Sequence, residues 1–410
     1  MSHRSFPSFP LRRFLRELTD GPFGSSLTAS HYSDSGARVI RLGNIGEAQF
    51  KGADEAFIPL AHFSELQRHS VDAGDLLIAG LGDQGHPVGR ACLAPAGLGP
   101  ALVKADCFRA RLDEGRLLHR FAAWALNSRY VSHQVLTLTR GSTRARINLD
   151  VAKAIEVPVP PLGEQRAIAD YLDRETTRID TLVEEQQHLI DLLRERRRAV
   201  VSAAFAASAS SQATRVGRLL VARPSYGVLV PTYVDESEGV PFVRVGDILR
   251  LEPDRPLLSI AASQSSEYSR TQLLGGEVLL GVVGKMGQAT IAPEWLAGAN
   301  VARAVAVLRC KDSTDANLLC AWLGSVEFLR QAELATSGDS IQPTLGMKDL
   351  ARFEINLPMR PDAIGQLSRQ TGSIDGLIAD AERFVELARE RRAALITAAV
   401  TGQIDVREVA

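Results

Sequence analysis

Val157-Pro158-Val159-Pro160-Pro161-Leu162-Gly163-Glu164-Gln165-Arg166-Ala167-Ile168-Ala169-Asp170-Tyr171-Leu172 is the stretch on which the fold turns. Its prolines disfavour helix before them but are tolerated in a first helical turn, so a helix begins near Gly163. Apolar residues then step by threes and fours through Ile168, Leu172, Ile179, Leu182, Leu189, Leu193 and Val200. The spacing predicts one helix running to about Ala207. At 1.5 Å per residue that helix is roughly 65 Å long, too long for an ordinary core helix. A period of 3.5 sustained over several heptads argues for a coiled coil.

The partner helix is written later in the same chain. Ile179-Asp180 with Leu182-Val183 returns as Ile374-Asp375 with Leu377-Ile378, and Arg194-Glu195-Arg196-Arg197 returns as Arg389-Glu390-Arg391-Arg392, both at an offset of 195 residues. The second seam reads Leu367, Ile374, Leu377, Phe384 and Leu395. Polar residues interrupt both seams at matching places, Glu175 with Gln370 and Arg196 with Arg391, where buried polar positions can fix register. Further back, Arg41-Leu42-Gly43-Asn44-Ile45 matches Arg244-Val245-Gly246-Asp247-Ile248 at an offset of 203. Matches that keep their order while the offset drifts mark a long unit duplicated once. The expectation is a pseudo-twofold α+β molecule, with two similar mixed α/β domains separated by two long helices that pair as an antiparallel coiled coil. Separate packing of each helix on its own domain is the simpler alternative.

Domain limits follow from these signals: 1–160 for the first globular part, 161–211 for the first long helix, 212–360 for the second globular part and 361–410 for the second helix. Within the globular parts, short β-type runs alternate with Gly and Pro. Val39–Leu42 pairs with Phe242–Val245 in the repeat, and Asp75–Ile78 with Glu277–Leu280. Helical periodicity appears over Leu117–Asn127 and Leu318–Arg330.

The 410 residues exceed one ordinary domain, and 45% hydrophobic content is enough for real cores. A net charge of −1 excludes a uniformly basic nucleic-acid coat, although residues 1–160 hold 19 Lys and Arg against 15 Asp and Glu. The four cysteines form no C-x-x-C, which reads as a reduced protein without paired metal-ligand spacing. No apolar stretch approaches the ~18 residues of a membrane span, so a cytoplasmic protein is expected.

Gly80-Leu81-Gly82-Asp83-Gln84-Gly85 is a literal G-x-G-x-x-G. A dinucleotide fingerprint needs a helix at once, whereas His86-Pro87-Val88-Gly89 follows, and the repeat, Gly281-Val282-Val283-Gly284-Lys285-Met286-Gly287, keeps only G-x-x-G. That predicts a tight loop between strands. No Walker A, H-E-x-x-H, G-x-S-x-G or Asn-Pro-Pro-aromatic segment is present. Neither a catalytic set nor a metal site is expected; seven of the eight histidines lie in the first globular part without repeat counterparts, as scattered structural histidines do. Polar loop residues do recur in both halves. Arg41, Gln84, Ser142 and Arg144 in the first, with Arg244, Lys285, Ser340 and Gln342 in the second, are the candidates for a DNA-facing surface, since such side chains contact phosphates and base edges.

The opening stretch, together with Gly141-Ser142-Thr143, Leu192-Leu193-Arg194-Glu195-Arg196-Arg197 and the ending Arg391–Val406, resembles the specificity (DNA-recognition) subunit of type I restriction–modification systems. The resemblance implies a non-catalytic adaptor. Two target-recognition domains read the halves of a bipartite double-stranded DNA sequence, and two helical regions dock two methyltransferase (modification) subunits, to which restriction subunits are added. S-adenosylmethionine, ATP and Mg are expected only in those partners. The second half departs from the pattern: Leu357-Pro358-Met359-Arg360-Pro361-Asp362 stands where a second P-P-x-x-E-Q would be. The rival readings are a stand-alone methyltransferase or dinucleotide-binding enzyme, and a coiled-coil scaffold with no nucleic-acid role.

Overall fold

The computed structural model describes residues 6–83, 85–138, 145–206, 211–284, 286–337, 343–358 and 363–407. The chain gathers into two units, Met1–Gln186 with Arg383–Ala410, and Gln187–Glu382. In chain order the first globular part holds β1 (Ser8–Pro10), β2 (Leu15–Asp20), β3 (Ala37–Ile40), β4 (Phe57–Ile58), α1 (Leu60–Glu65), β5 (Leu76–Ala79), β6 (Ala91–Leu93), β7 (Ala101–Val103), β8 (Cys107–Leu112), α2 (His119–Leu126), α3 (Arg129–Leu138), α4 (Leu149–Ala154) and β9 (Glu156–Pro158), followed by the long α5 (Leu162–Phe205). The series then repeats with one added strand, β12: β10 (Ser211–Arg215), β11 (Ser225–Tyr226), β12 (Tyr233–Val234), β13 (Gly239–Val243), β14 (Leu258–Ala261), α6 (Ala262–Glu267), β15 (Val278–Gly281), β16 (Ala289–Ile291), β17 (Asn300–Val301), β18 (Val305–Leu308), α7 (Ser313–Trp322), α8 (Val326–Thr336), α9 (Met347–Arg352), β19 (Glu354–Pro358) and the long α10 (Ala363–Thr401). The helical pattern over Leu318–Arg330 therefore belongs to two helices, with a break at Leu323–Ser325 where Ser325 caps α8 by accepting from the Phe328 N–H.

Each unit is built on one central strand whose two faces enter different cores, as the period-2 pleat requires. Leu76 and Ile78 of β5 join Phe108, Phe121 and Trp124, while Leu77 and Ala79 join Ile40, Cys92 and Val103. In the second unit Val278 and Leu280 of β15 join Trp322 and Phe328, while Leu279 joins Val243, Val301 and Val307. The sheets match as well: β2-β8-β5-β6 answers β11-β18-β15-β16, and the parallel pair β3–β7 answers β13–β17. Side-chain clamps recur with them. The amide of Gln134 bonds both backbone groups of Glu156 at 3.0 and 3.1 Å, and that of Gln331 does the same to Glu354 at 2.9 and 2.9 Å.

The long helices pack against each other inside each unit. In the first, Ile168, Ala169 and Leu172 of α5 share a core with Ile396, Ala399 and Val400 of α10. In the second, Val201 and Phe205 share one with Leu367. The start of α5 thus meets the end of α10, and the reverse, so the pair runs antiparallel. Two ion pairs fix the register: Arg392 Nε to Asp180 Oδ1 at 2.8 Å, and Arg197 Nε to Asp375 Oδ1 at 2.6 Å. They are one interaction written twice, because 197 and 375 are the repeat counterparts of 392 and 180.

The buried stripe departs from the expected seam in one respect. Ile168, Leu172, Ile179, Leu193, Leu367 and Ile374 are buried and Leu395 is half-buried, but Leu182, Leu189, Leu377 and Phe384 are exposed. The inward residue is the β-branched neighbour in every case: Val183, Ile190, Ile378 and Val385. Pattern reading picks the first member of each adjacent apolar pair, while helix phase, continuous from Ile179 to Ile190 and Leu193, selects the second. The same one-residue slip affects the polar interruptions. Arg196, Arg391 and Gln370 point outward, and it is Arg197 and Arg392 that face the opposite helix.

The P-P-x-x-E-Q segment anchors α5 to the first globular part. Gln165 is fully buried; its Oε1 accepts from the Leu118 N–H at 2.9 Å, and its Nε2 donates to the Arg116 and Pro160 carbonyls at 3.0 and 2.8 Å. Glu164 pairs with Arg407 at 3.1 Å. Two turns further, Asp173 accepts from the Trp124 indole at 2.7 Å and from Arg120 Nε at 2.6 Å.

Candidate nucleic-acid interface

The same cleft is present in both units, at the end of the first strand of the four-stranded sheet. Its walls are set by backbone bonds that repeat one for one. Gly80 donates to the Asp106 carbonyl at 2.7 Å and accepts from the Ile147 N–H at 2.8 Å; Val282 donates to Ala304 at 2.9 Å and accepts from Leu345 at 3.0 Å. Gly21 and Gly227 follow β2 and β11 at positions where a Cβ would lie 2.0 Å from the Lys104 carbonyl carbon and 1.7 Å from the Val301 oxygen. Only glycine permits that approach, and it places Phe23 and Leu229, both exposed, at the mouth of the cleft.

In the first unit the cleft measures about 550 Å³ and lies among Asp20, Phe23, Asp106, Arg146, Asp150 and Lys153. Its cations among the described residues are already paired: Arg146 Nε with Asp106 Oδ1 at 2.8 Å, and Lys153 Nζ with Asp150 Oδ1 at 3.2 Å. In the second unit it measures about 1160 Å³, with Tyr226, Leu229, Arg270, Arg303 and Lys348 around it. None of these three cations has a carboxylate partner among the described residues.

Two of the eight polar residues named from the sequence lie within the described structure, and both have intramolecular partners. The Arg41 N–H donates to Asn44 Oδ1 at 2.8 Å while its guanidinium pairs with Asp54; the Arg244 N–H donates to Asp247 Oδ2 at 3.0 Å and its guanidinium reaches the same carboxylate at 3.1 Å. Asp247 raises the pKa of Arg244, chiefly through that side-chain hydrogen bond. The matched R-x-G-[N/D] motif is thus first a turn device, in which the Asn or Asp caps the Arg amide. Gln84, Ser142, Arg144, Lys285, Ser340 and Gln342 lie outside the described residues. Their neighbours Arg146 and Thr344 line the clefts. Phe23, Leu229, Arg270, Arg303 and Lys348 carried no signal in the sequence, because nothing short of the fold brings these segments together.

The G-x-x-G loop joins β5 to β6 as an antiparallel pair, and no helix opens from it. Within it Asp83 Oδ1 accepts from the Gly85 N–H at 2.8 Å, which with His86 holds the Asp83 carboxyl below its ordinary range. Among the described residues no group of three His, Cys, Asp or Glu is placed to hold a metal ion. Burial pushes the Cys92 and Cys107 thiols up to about 12, so neither is a thiolate nucleophile at neutral pH. No helix among the described residues is long and apolar enough to cross a membrane.

Residues 85–190 match the family model described as the type I restriction modification DNA specificity domain. The chain is 25% identical over 286 residues to the type I restriction enzyme EcoBI specificity subunit of Escherichia coli, a match covering 63% of this chain and 59% of that protein. It is 22% identical over 174 residues to the MjaVIII specificity subunit of Methanocaldococcus jannaschii, covering 42% and 39%. The matched part therefore spans less than two thirds of the length of these relatives. A chain solved in work on complex assembly and conformational transition of the type I R-M system shares the fold over 98% of both chains, with a TM-score of 0.65 at 17% identity. Residues 85–190 are thus similar to a type I restriction modification DNA specificity domain, and the chain is similar over part of its length to type I restriction enzyme specificity subunits.

Proposed function

We propose that this chain selects the DNA sequence for a type I restriction–modification complex and carries no catalytic group of its own. Each unit reads one block of a bipartite double-stranded target through its cleft. Methylation and cleavage belong to partner modification and restriction subunits in the cytoplasm, which bring S-adenosylmethionine, ATP and Mg. The observation that carries this reading is the duplicated cleft, built on the same backbone bonds and the same close-approach glycine in both units.

The outward faces of the long helices support docking of two copies of one partner. Leu182, Leu189 and Leu192 of α5, and their repeat counterparts Leu377, Phe384 and Leu387 of α10, are all between 39% and 58% exposed. Large apolar side chains left in water at the same three places of both repeats offer each repeat the same apolar contact for a partner. Methylome mapping of a host expressing the complex, with and without this chain, tests the assignment. The expected outcome is a modified motif of two short blocks around a nonspecific gap, present only with the chain; a continuous motif, or none, refutes it. Exchanging residues 1–150 for those of a relative should alter one block and leave the other.

A further inference from the structure

The two clefts share a backbone but not a charge pattern. Among the described residues, the acids of the first cleft are Asp20, Asp106 and Asp150. Strand pairing and the matched hydrogen bonds align them with Tyr226, Ala304 and Lys348. Every carboxylate of the first cleft is therefore absent from its counterpart, and one is replaced by a cation. Arg303 stands where the first unit has Ala105, and Arg270 borders the second cleft alone. Glu267 and Asp349 also line that cleft, and neither pairs with the three cations among the described residues.

Resting on the DNA-reading assignment above, we infer that the two readers divide the work unequally. The second unit's cleft grips DNA phosphates through Arg270, Arg303 and Lys348, and the first unit's cleft, self-neutralised by Asp106 and Asp150, takes little part in phosphate binding. A cation already paired at 2.8 Å releases no counterion from DNA unless its own carboxylate is displaced, whereas an exposed unpaired cation does so directly. Arg270, Arg303 and Lys348 are each exposed. Affinity and salt dependence thus reside mainly in the block read by the second unit. Carboxylates at the first cleft suit acceptance from base amino groups, as Asp does from cytosine.

The test uses the assembled complex with its modification subunits, a duplex bearing the methylome-derived target, and a scrambled duplex of equal length. Binding is measured from 50 to 200 mM salt for the wild type, for R270A/R303A/K348A, and for R146A/K153A. Each neutralised phosphate contributes about 0.9 to the slope of log K against log salt, so the triple variant should lose about 2.7 of slope. Over that fourfold salt range its affinity relative to wild type should change by about 40-fold, equally on both duplexes. The double variant should change the slope by less than about 0.5. Circular dichroism and co-purification of the modification subunits check that the variants fold and assemble. A wild-type complex that prefers its target, with a triple variant of unchanged slope or a double variant that loses as much, overturns the inference alone. A wild-type complex with no preference between the duplexes overturns the DNA-reading assignment on which it rests.

Discussion

Gln165 offers the sharpest test of how the first long helix is joined to its globular part. Replacing it with leucine keeps the bulk and removes three hydrogen bonds at once. The bond to the Pro160 carbonyl is buried, and those to Leu118 and Arg116 are partly buried. An unmet buried polar group costs about 1–3 kcal/mol, so one deep and two shallower orphans together cost about 3–5 kcal/mol. Because the chain has two units, a single global unfolding curve is not two-state. The direct readout is hydrogen exchange at 116–126 and 162–172, where a loss of 3 kcal/mol accelerates exchange by roughly two orders of magnitude. Protection within threefold of wild type across both segments would refute the argument. Gln165→Glu adds a signed control. A carboxylate would face two carbonyl oxygens, which raises its folded pKa above the ordinary ~4.3. Its stability relative to wild type is then greatest below that value, where the neutral acid donates to one carbonyl, and falls as pH rises through it.

An interhelical ion pair and two histidines whose pKa burial lowers can be tested in the same way. Asp180→Arg should destabilise the first unit by about 1 kcal/mol and Asp180→Arg with Arg392→Asp should restore part of it, read as a double-mutant cycle from hydrogen-exchange protection within the first unit; restoration is incomplete because Arg392 also lies over the Trp124 ring at 6.0 Å, and a coupling of zero refutes the pairing. Burial lowers the pKa of His69 and of His119, whose Nε2 accepts from the Leu112 N–H at 2.7 Å, so stability is undiminished above the unfolded value near 6.5 and is lost as pH falls below it; His119→Gln should flatten melting temperature against pH between 7 and 5, and an unaltered slope counts against the assignment.

The helices, the duplication and the antiparallel pairing were legible because they rest on local signals: proline punctuation, a heptad period and repeated words. The slip from Val183 to Leu182 and from Val385 to Phe384 shows the limit of that signal. Where two apolar residues adjoin, size does not say which one faces inward, and only the continuous phase of the helix decides. Gln165 was legible as part of a motif but not as a clamp, since its partners Arg116 and Leu118 lie some 47 to 49 residues away. The cleft was not legible at all. Its walls come from the segments around Gly21, Asp106 and Arg146, and nothing in one-dimensional spacing joins them.

An internal duplication supplies what a single sequence otherwise lacks, a second version of every position under the same structural demands. What the two versions keep is scaffold: Gly21 with Gly227, Gln134 with Gln331, and the Arg–Asp pairs between the long helices. Each of these has a steric or hydrogen-bonding reason to be invariant that does not depend on what the unit recognises. What the two versions change lies where no such reason operates. Asp20, Asp106 and Asp150 became Tyr226, Ala304 and Lys348 while the backbone bonds around them stayed the same. A structural role would have held those carboxylates in both copies, as it held Asp180 and Asp375. Their divergence on a preserved frame makes the clefts the place where the two units differ in charge.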